Sequence, residues 1–170
     1  AGVREMYNKV VSMLLNVLEF YKLYAPPSSV IASEAKQSPE IATAPPAGGG
    51  LAMTKVFASK NILDRWIVAR LHQLIQEVTE NMESYKLSEA ARPIQDFIAD
   101  LSQWYLRRSR ERFKGKKSEQ RAALGTTSYV LGTLSQLLAP FMPFLAEHLW
   151  QESGIRNQES GSVHLQEWPK

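Results

Sequence analysis

Cysteine is absent from the 170 residues, which removes disulfides and thiolate metal sites from consideration. The three histidines, His72, His148 and His164, lie far apart, and none stands at metal-ligand spacing from a carboxylate. No metal site is expected. No apolar run approaches the roughly 20 residues that a membrane-spanning helix needs. The mixed, charged stretch 1–9 lacks the form of a secretory signal. The expectation is a soluble cytoplasmic setting with no membrane contact. The first residue is not methionine and the charged start is abrupt, so the sequence reads as a piece cut from a longer chain. Catalytic signatures are missing as well. The glycines at 48–50 are not followed by the lysine and helix start of a phosphate loop. Neither a G-x-S-x-G elbow nor H-E-x-x-H occurs. Asp96 and Asp100 stand four apart, but they flank an apolar stripe with no third ligand. A solvated or ion-paired helix face explains them better than a catalytic dyad. No catalytic residue is assigned, and no cofactor is expected for the chain itself.

What is present is helical periodicity over a core-sized supply of hydrophobic residues, 44% of the chain. Apolar side chains at steps of three and four predict a first helix over 3–24, stopped at Pro26-Pro27. Proline, glycine and small residues then dominate 26–53, which reads as a flexible insertion inside a single domain. Asn61 is a good N-cap for a second helix, and Asp64 is placed to reach back to it in a capping box. The stripe Leu63, Trp66, Ile67, Leu71, Leu74, Ile75, Val78 and Met82 follows, with Trp66 expected in the core and Arg65 at the surface or paired with Asp64 or a nearby glutamate. After a turn at Tyr85-Lys86-Leu87, Ser88 is the expected cap of a third helix, which either starts late or bends at Pro93. Its stripe runs from Ala90 to Trp104 and Tyr105, and Arg108 and Arg112 continue the register. An apolar face that turns into an arginine face predicts a helix end projecting out of the core. A fourth helix over 118–138 stops at Pro140, with Gly125 and Gly132 as weak points or places of close packing. Pro143 suits the first turn of a last helix through Trp150, with Gly154 as terminator and an extended or irregular tail. The fold class is all-α, an antiparallel bundle of four to five helices.

Charge is concentrated. The net charge is +3, yet the segment from Trp104 to Arg121 holds eight basic residues and two acids, so it carries +6 and the remainder −3. Such a patch is the footprint of a phosphate-facing surface, although cations also collect at the negative ends of helices. Arg107, Arg108, Arg110 and Arg112 are candidates for two-point phosphate contacts, and Lys114, Lys116 and Lys117 for point-charge attraction. Trp104 and Tyr105 could stack on bases, but at helical spacing core packing is the favoured reading for both. Arg108 could instead pair with a carboxylate such as Asp100.

Two stretches resemble a known family. Residues 61–113 (NILDRWIVARLHQLIQEVTENMESYKLSEAARPIQDFIADLSQWYLRRSRERF) and 137–150 (LLAPFMPFLAEHLW) are similar to the anticodon-binding helical domain of class Ia aminoacyl-tRNA synthetases. The pairing of W-Y-x-R-R-S-R with A-P-F-x-P-F resembles the isoleucyl branch most, and SVHLQEWP at 162–169 looks like the segment that follows it. Both catalytic signatures of that class, H-I-G-H and K-M-S-K-S, are missing, and Pro93 and the long 26–53 stretch depart from the usual pattern. The resemblance implies a tRNA partner (isoleucine tRNA), and a monomeric parent ligase using ATP and magnesium. It further implies catalytic and C-terminal domains in that parent, and no activity for this piece alone. Two other readings stay open: a helical protein-interaction module without RNA, and the same domain of a valyl or methionyl enzyme.

Overall fold

The computed structural model describes residues 7–25, 59–153 and 161–170. The 26–53 stretch and Gly154 lie outside the described residues. Five helical rods, with no strand among the described residues, make the all-α bundle that the periodicity predicts. The first rod is a π-helical segment, Tyr7–Ser12, running on into α1, Met13–Tyr24. α2 spans Ile62–Glu83, and α3 spans Leu87–Ala99. A second π segment, Asp100–Leu106, joins α3 without a break to α4, Arg107–Lys114. α5 (Lys117–Leu138) and α6 (Pro143–Glu152) follow, and a single 3-10 turn, Val163–Leu165, shapes the tail.

Local chemistry sets most boundaries. Asn61 caps α2, its Oδ1 accepting the Leu63 amide at 2.9 Å. The capping-box partner is not the expected one. Asp64 is fully buried and turned toward the bundle, and the Asn61 amide donates to Ser59 Oγ at 3.3 Å instead. α2 ends in a Schellman motif, with Lys86 N–H on Asn81 O and Tyr85 N–H on Met82 O. Tyr85 therefore takes the left-handed conformation, φ 58°, where glycine is usual. That motif delivers the chain directly into α3 at Leu87, so Ser88 is a first-turn residue and not the cap. Pro93 lies inside α3, which passes through it and leaves the Glu89 carbonyl without its usual amide donor. Pro143 opens α6, as expected.

Packing follows from the connections. α2 and α3 form an antiparallel hairpin, α5 returns beside α4, and α6 folds back on α5, where Ser128 Oγ donates to Ser153 O at 2.7 Å. α1 closes the bundle. Its Phe20 meets Phe113 edge-on at 5.0 Å between ring centroids, and Lys22 pairs with Glu152 of α6 at 2.8 Å. Leu14, Leu18, Ile67, Leu71, Phe97, Ile98, Leu101, Leu131 and Leu134 are among the fully buried side chains. Trp150 is buried, whereas Trp66, expected in the core, packs only partly against it. Gly125 faces open space and marks no close approach. The tail is tied down twice. Glu147 accepts from Ser162 Oγ and Val163 N–H, and Trp168 Nε1 donates to Thr79 Oγ1 at 2.8 Å.

The π segment changes what lies inward beyond it. An unbroken α-helix through Leu101 and Tyr105 would bring positions 108 and 112 to the core. A π turn adds a residue, which rotates everything beyond it by about 100°. The buried positions are accordingly Leu106, Ser109 and Phe113. The cationic stripe is not the continuation of the core stripe, and α4 does not leave the bundle.

Candidate nucleic-acid interface

α4 and the turn after it carry the basic cluster. Arg107, Arg108, Arg110, Lys114, Lys116 and Lys117 are all exposed. Arg107, Lys114, Lys116 and Lys117 make no ion pair among the described residues. The helix holds its shape against this self-repulsion through its inner face. Phe113 is fully buried against Phe20 and Tyr24 of α1, and the Phe113 carbonyl accepts from Gln120 Nε2 of α5 at 2.9 Å. Gly115 then turns the chain. A Cβ there would stand 3.1 Å from the Glu111 carbonyl, so a larger residue would push against the end of α4.

Trp104 and Tyr105, adjacent in sequence, have opposite fates. Trp104 is 48% exposed, and the Arg108 guanidinium lies over its ring at 4.0 Å from the centroid. That is a cation–π pair on an open surface. Arg108 therefore does not pair with Asp100, which is held by Arg70 at 3.1 and 3.2 Å. Tyr105 is fully buried and its hydroxyl donates to Asp64 Oδ1 at 2.8 Å, so it presents no face to a base. Arg110 leans toward Phe20, its guanidinium 6.0 Å from that ring.

Arg112 is the one arginine of the cluster that is not displayed. Its side chain is 11% exposed, and it grips Asp64 with both terminal nitrogens, Nη1 to Oδ1 at 2.8 Å and Nη2 to Oδ2 at 2.7 Å. Ser59 Oγ adds a donor to Oδ2 at 2.6 Å. Burial by itself pushes the Asp64 carboxyl up. The hydrogen bonds from Arg112, Ser59 and Tyr105, with the Arg112 charge, more than reverse this and hold it below the usual carboxylate range. The Asp64 hydrogen bond raises Arg112 further, while burial, and then the neighbouring carboxylate, raise the Tyr105 phenol. The expected place of Arg112 on the outward face is thus corrected to an internal ion pair. The sequence gives no sign of it, because the partner lies 48 positions away. Asp64 itself was legible only as a helix-start acid.

Elsewhere, an open groove between α2 and α3 is bordered by Arg70, Leu74, Arg92, Pro93, Asp96 and Phe97, and it mixes both signs of charge. No group of three His, Cys, Asp or Glu suited to a metal occurs among the described residues. No helix of the described residues is long and apolar enough to cross a membrane. What α4 and the π segment before it offer is a cationic surface beside the exposed ring of Trp104, an arrangement suited to a polyanion.

Residues 64–170 match the family described as the anticodon-binding domain of tRNA ligase. The isoleucine–tRNA ligase of Clostridium tetani is 36% identical over 99% of this chain, and that of Deinococcus radiodurans 38% over 98%. The isoleucine–tRNA ligase of Thermus thermophilus is 47% identical over 64% of the chain. The chain spans only 11 to 15% of the length of these relatives. A helical bundle of this form, matched over most of its length, places the chain in the anticodon-binding domain family of tRNA ligases.

Proposed function

We propose that this chain recognises the anticodon stem-loop of a tRNA through α4, as part of an enzyme that attaches isoleucine to its tRNA using ATP and magnesium. The observation that carries the reading is the exposed cluster of Arg107, Arg108, Arg110, Lys114, Lys116 and Lys117 beside the half-exposed Trp104. Arg107, Arg108 and Arg110 supply planar forks for phosphate, and the lysines supply attraction that weakens with salt. Trp104, with Arg108 across one side of its ring, offers a stacking surface for an unstacked base. Arg112 and Tyr105 have no part in the contact surface. Isoleucine over valine or methionine rests on the relatives, which are isoleucine–tRNA ligases. ATP, magnesium and the adenylate chemistry belong to segments that this chain does not contain, and the bundle alone is inactive in ligation. A single domain of 170 residues with a tolerated insertion at 26–53, monomeric and cytoplasmic, completes the reading.

The test is a fluorescence-anisotropy titration of labelled isoleucine tRNA at two salt concentrations, with valine tRNA as competitor. The comparison variant is Arg107→Ala/Arg108→Ala/Arg110→Ala/Lys114→Ala. Loss of salt-sensitive binding in the variant supports the assignment to α4. Binding that survives all four alanines moves the RNA surface elsewhere. Absence of binding by the unaltered chain at low salt would favour a helical module with no RNA role.

A further inference from the structure

The buried end of the cationic helix poses a mechanical problem. α4 is only eight residues long and continues the rod of α3 through a π segment, so the direction of its outer face depends on how that segment is wound. Its exposed cations also repel one another. Contacts that span the π segment hold that winding. Tyr105 lies inside the π segment and Arg112 lies in α4, seven residues on, yet both hydrogen-bond the same carboxylate. That carboxylate, Asp64, belongs to the first turn of α2, and Ser59 braces it from the segment before the helix. Four donor groups saturate the two oxygens at 2.6 to 2.8 Å, with no water-facing surface on Asp64. A clamp with one jaw on each side of the π-to-α junction holds the junction's rotation. Apolar contact at Phe113 gives adhesion but sets the angle less sharply, because burial of apolar surface is non-directional.

We infer that Asp64 is a positioning residue for the RNA surface: through Arg112 and Tyr105 it sets the rotation of α4 relative to the π segment, and thereby the placement of Arg107, Arg108 and Arg110 beside Trp104. This rests on the RNA reading above. Asp64 touches no RNA, so its removal should weaken binding without subtracting a contact.

The experiment compares the full 170-residue chain with Asp64→Leu/Tyr105→Phe/Arg112→Met, which replaces the buried polar cluster by apolar groups of similar size. Such exchanges commonly preserve or raise stability. Helical circular dichroism and a cooperative melt establish folding. The anisotropy titration uses a labelled anticodon stem-loop of isoleucine tRNA, at several salt concentrations. The expected result is a folded variant whose affinity falls about tenfold, comparable to losing one two-point arginine contact, with a shallower salt slope. A folded variant with wild-type affinity and slope overturns the inference and leaves the RNA reading intact. Should the triple variant fail to fold, Arg112→Lys carries the test: it keeps the charge but cannot span both oxygens. The same affinity loss supports the clamp and unchanged binding overturns it. If the unaltered chain does not bind the stem-loop, the RNA reading falls and takes this inference with it.

Discussion

Asp64 has no contact with water, and its whole surroundings are donors. The folded state therefore favours the ionised carboxylate more than the unfolded chain does, where the group titrates near about pH 3.9. Because the native value is the lower one, the stabilisation is complete above that pH and is lost as pH falls through the native value. Tyr105 behaves in mirror image. Its raised phenol contributes fully below about pH 10, and that contribution disappears as the medium becomes more alkaline. Urea midpoints of the wild type measured from pH 6 down to pH 2.5 should drop more steeply than those of Asp64→Asn, whose acid limb is flattened. At neutral pH the same variant leaves the Arg112 charge buried without its counter-ion and should be destabilised by about 3–5 kcal/mol. Equal acid limbs in the two proteins would mean that Asp64 is not ionised in the fold. A sequence can display this aspartate, but not the four groups that converge on it from three places in the chain.

At the level of elements, the helices were legible and their rotation was not. Steps of three and four placed α2, α5 and α6 within a few residues and the end of α1 at Tyr24, since a stripe of Leu, Ile and Val has to find a core whatever surrounds it, but they did not anticipate the π segment Tyr7–Ser12 ahead of α1. The assumption that failed is a constant period. The π segment Asp100–Leu106 inserts a residue's worth of rotation inside a continuous rod, so Arg108, expected in line with Leu101 and Tyr105, gives way to Ser109, and Phe113 takes the core while Arg112 turns in only to meet Asp64. Ser88 and Asp64 failed for a related reason: cap chemistry is judged locally, while a Schellman turn and a distant arginine decided the outcome. The shifted register predicts opposite tolerances for neighbours. Arg108→Ala should change unfolding free energy by no more than about 0.5 kcal/mol, as an exposed site does. Ser109→Arg forces a charge into a fully buried position and should cost more than about 3 kcal/mol or prevent folding. Chemical denaturation of the two variants settles it, and a mild effect at 109 would restore the unbroken register.

Across the whole molecule, a +6 stretch joined to a remainder of −3 is a charge separation, and the fold keeps the positive part together on α4, its turn and the start of α5. Repulsion among exposed cations opposes compaction when counter-ions are scarce. Raising ionic strength shortens the Debye length from about 30 Å at 0.01 M to about 8 Å at 0.15 M. The melting temperature of the free chain should therefore rise with added sodium chloride, whereas affinity for a polyanion should fall over the same range. A melting temperature indifferent to salt would indicate that the cluster is already neutralised by contacts within the chain. The two opposed trends, measured on one sample, separate self-repulsion from recognition.

The π turn also bears on how this stretch tolerates changes in length. In an ordinary surface loop, one residue more or less shifts the chain by a few ångströms and the ends readjust. Between Leu101 and Phe113 the same change acts as a gear tooth, turning the arginine face by about 100° while the core residues stay meshed. The spacing of this segment thus acts as a reading frame for the surface: letters on the outer face can vary with modest cost, but a single deletion misreads every position after it.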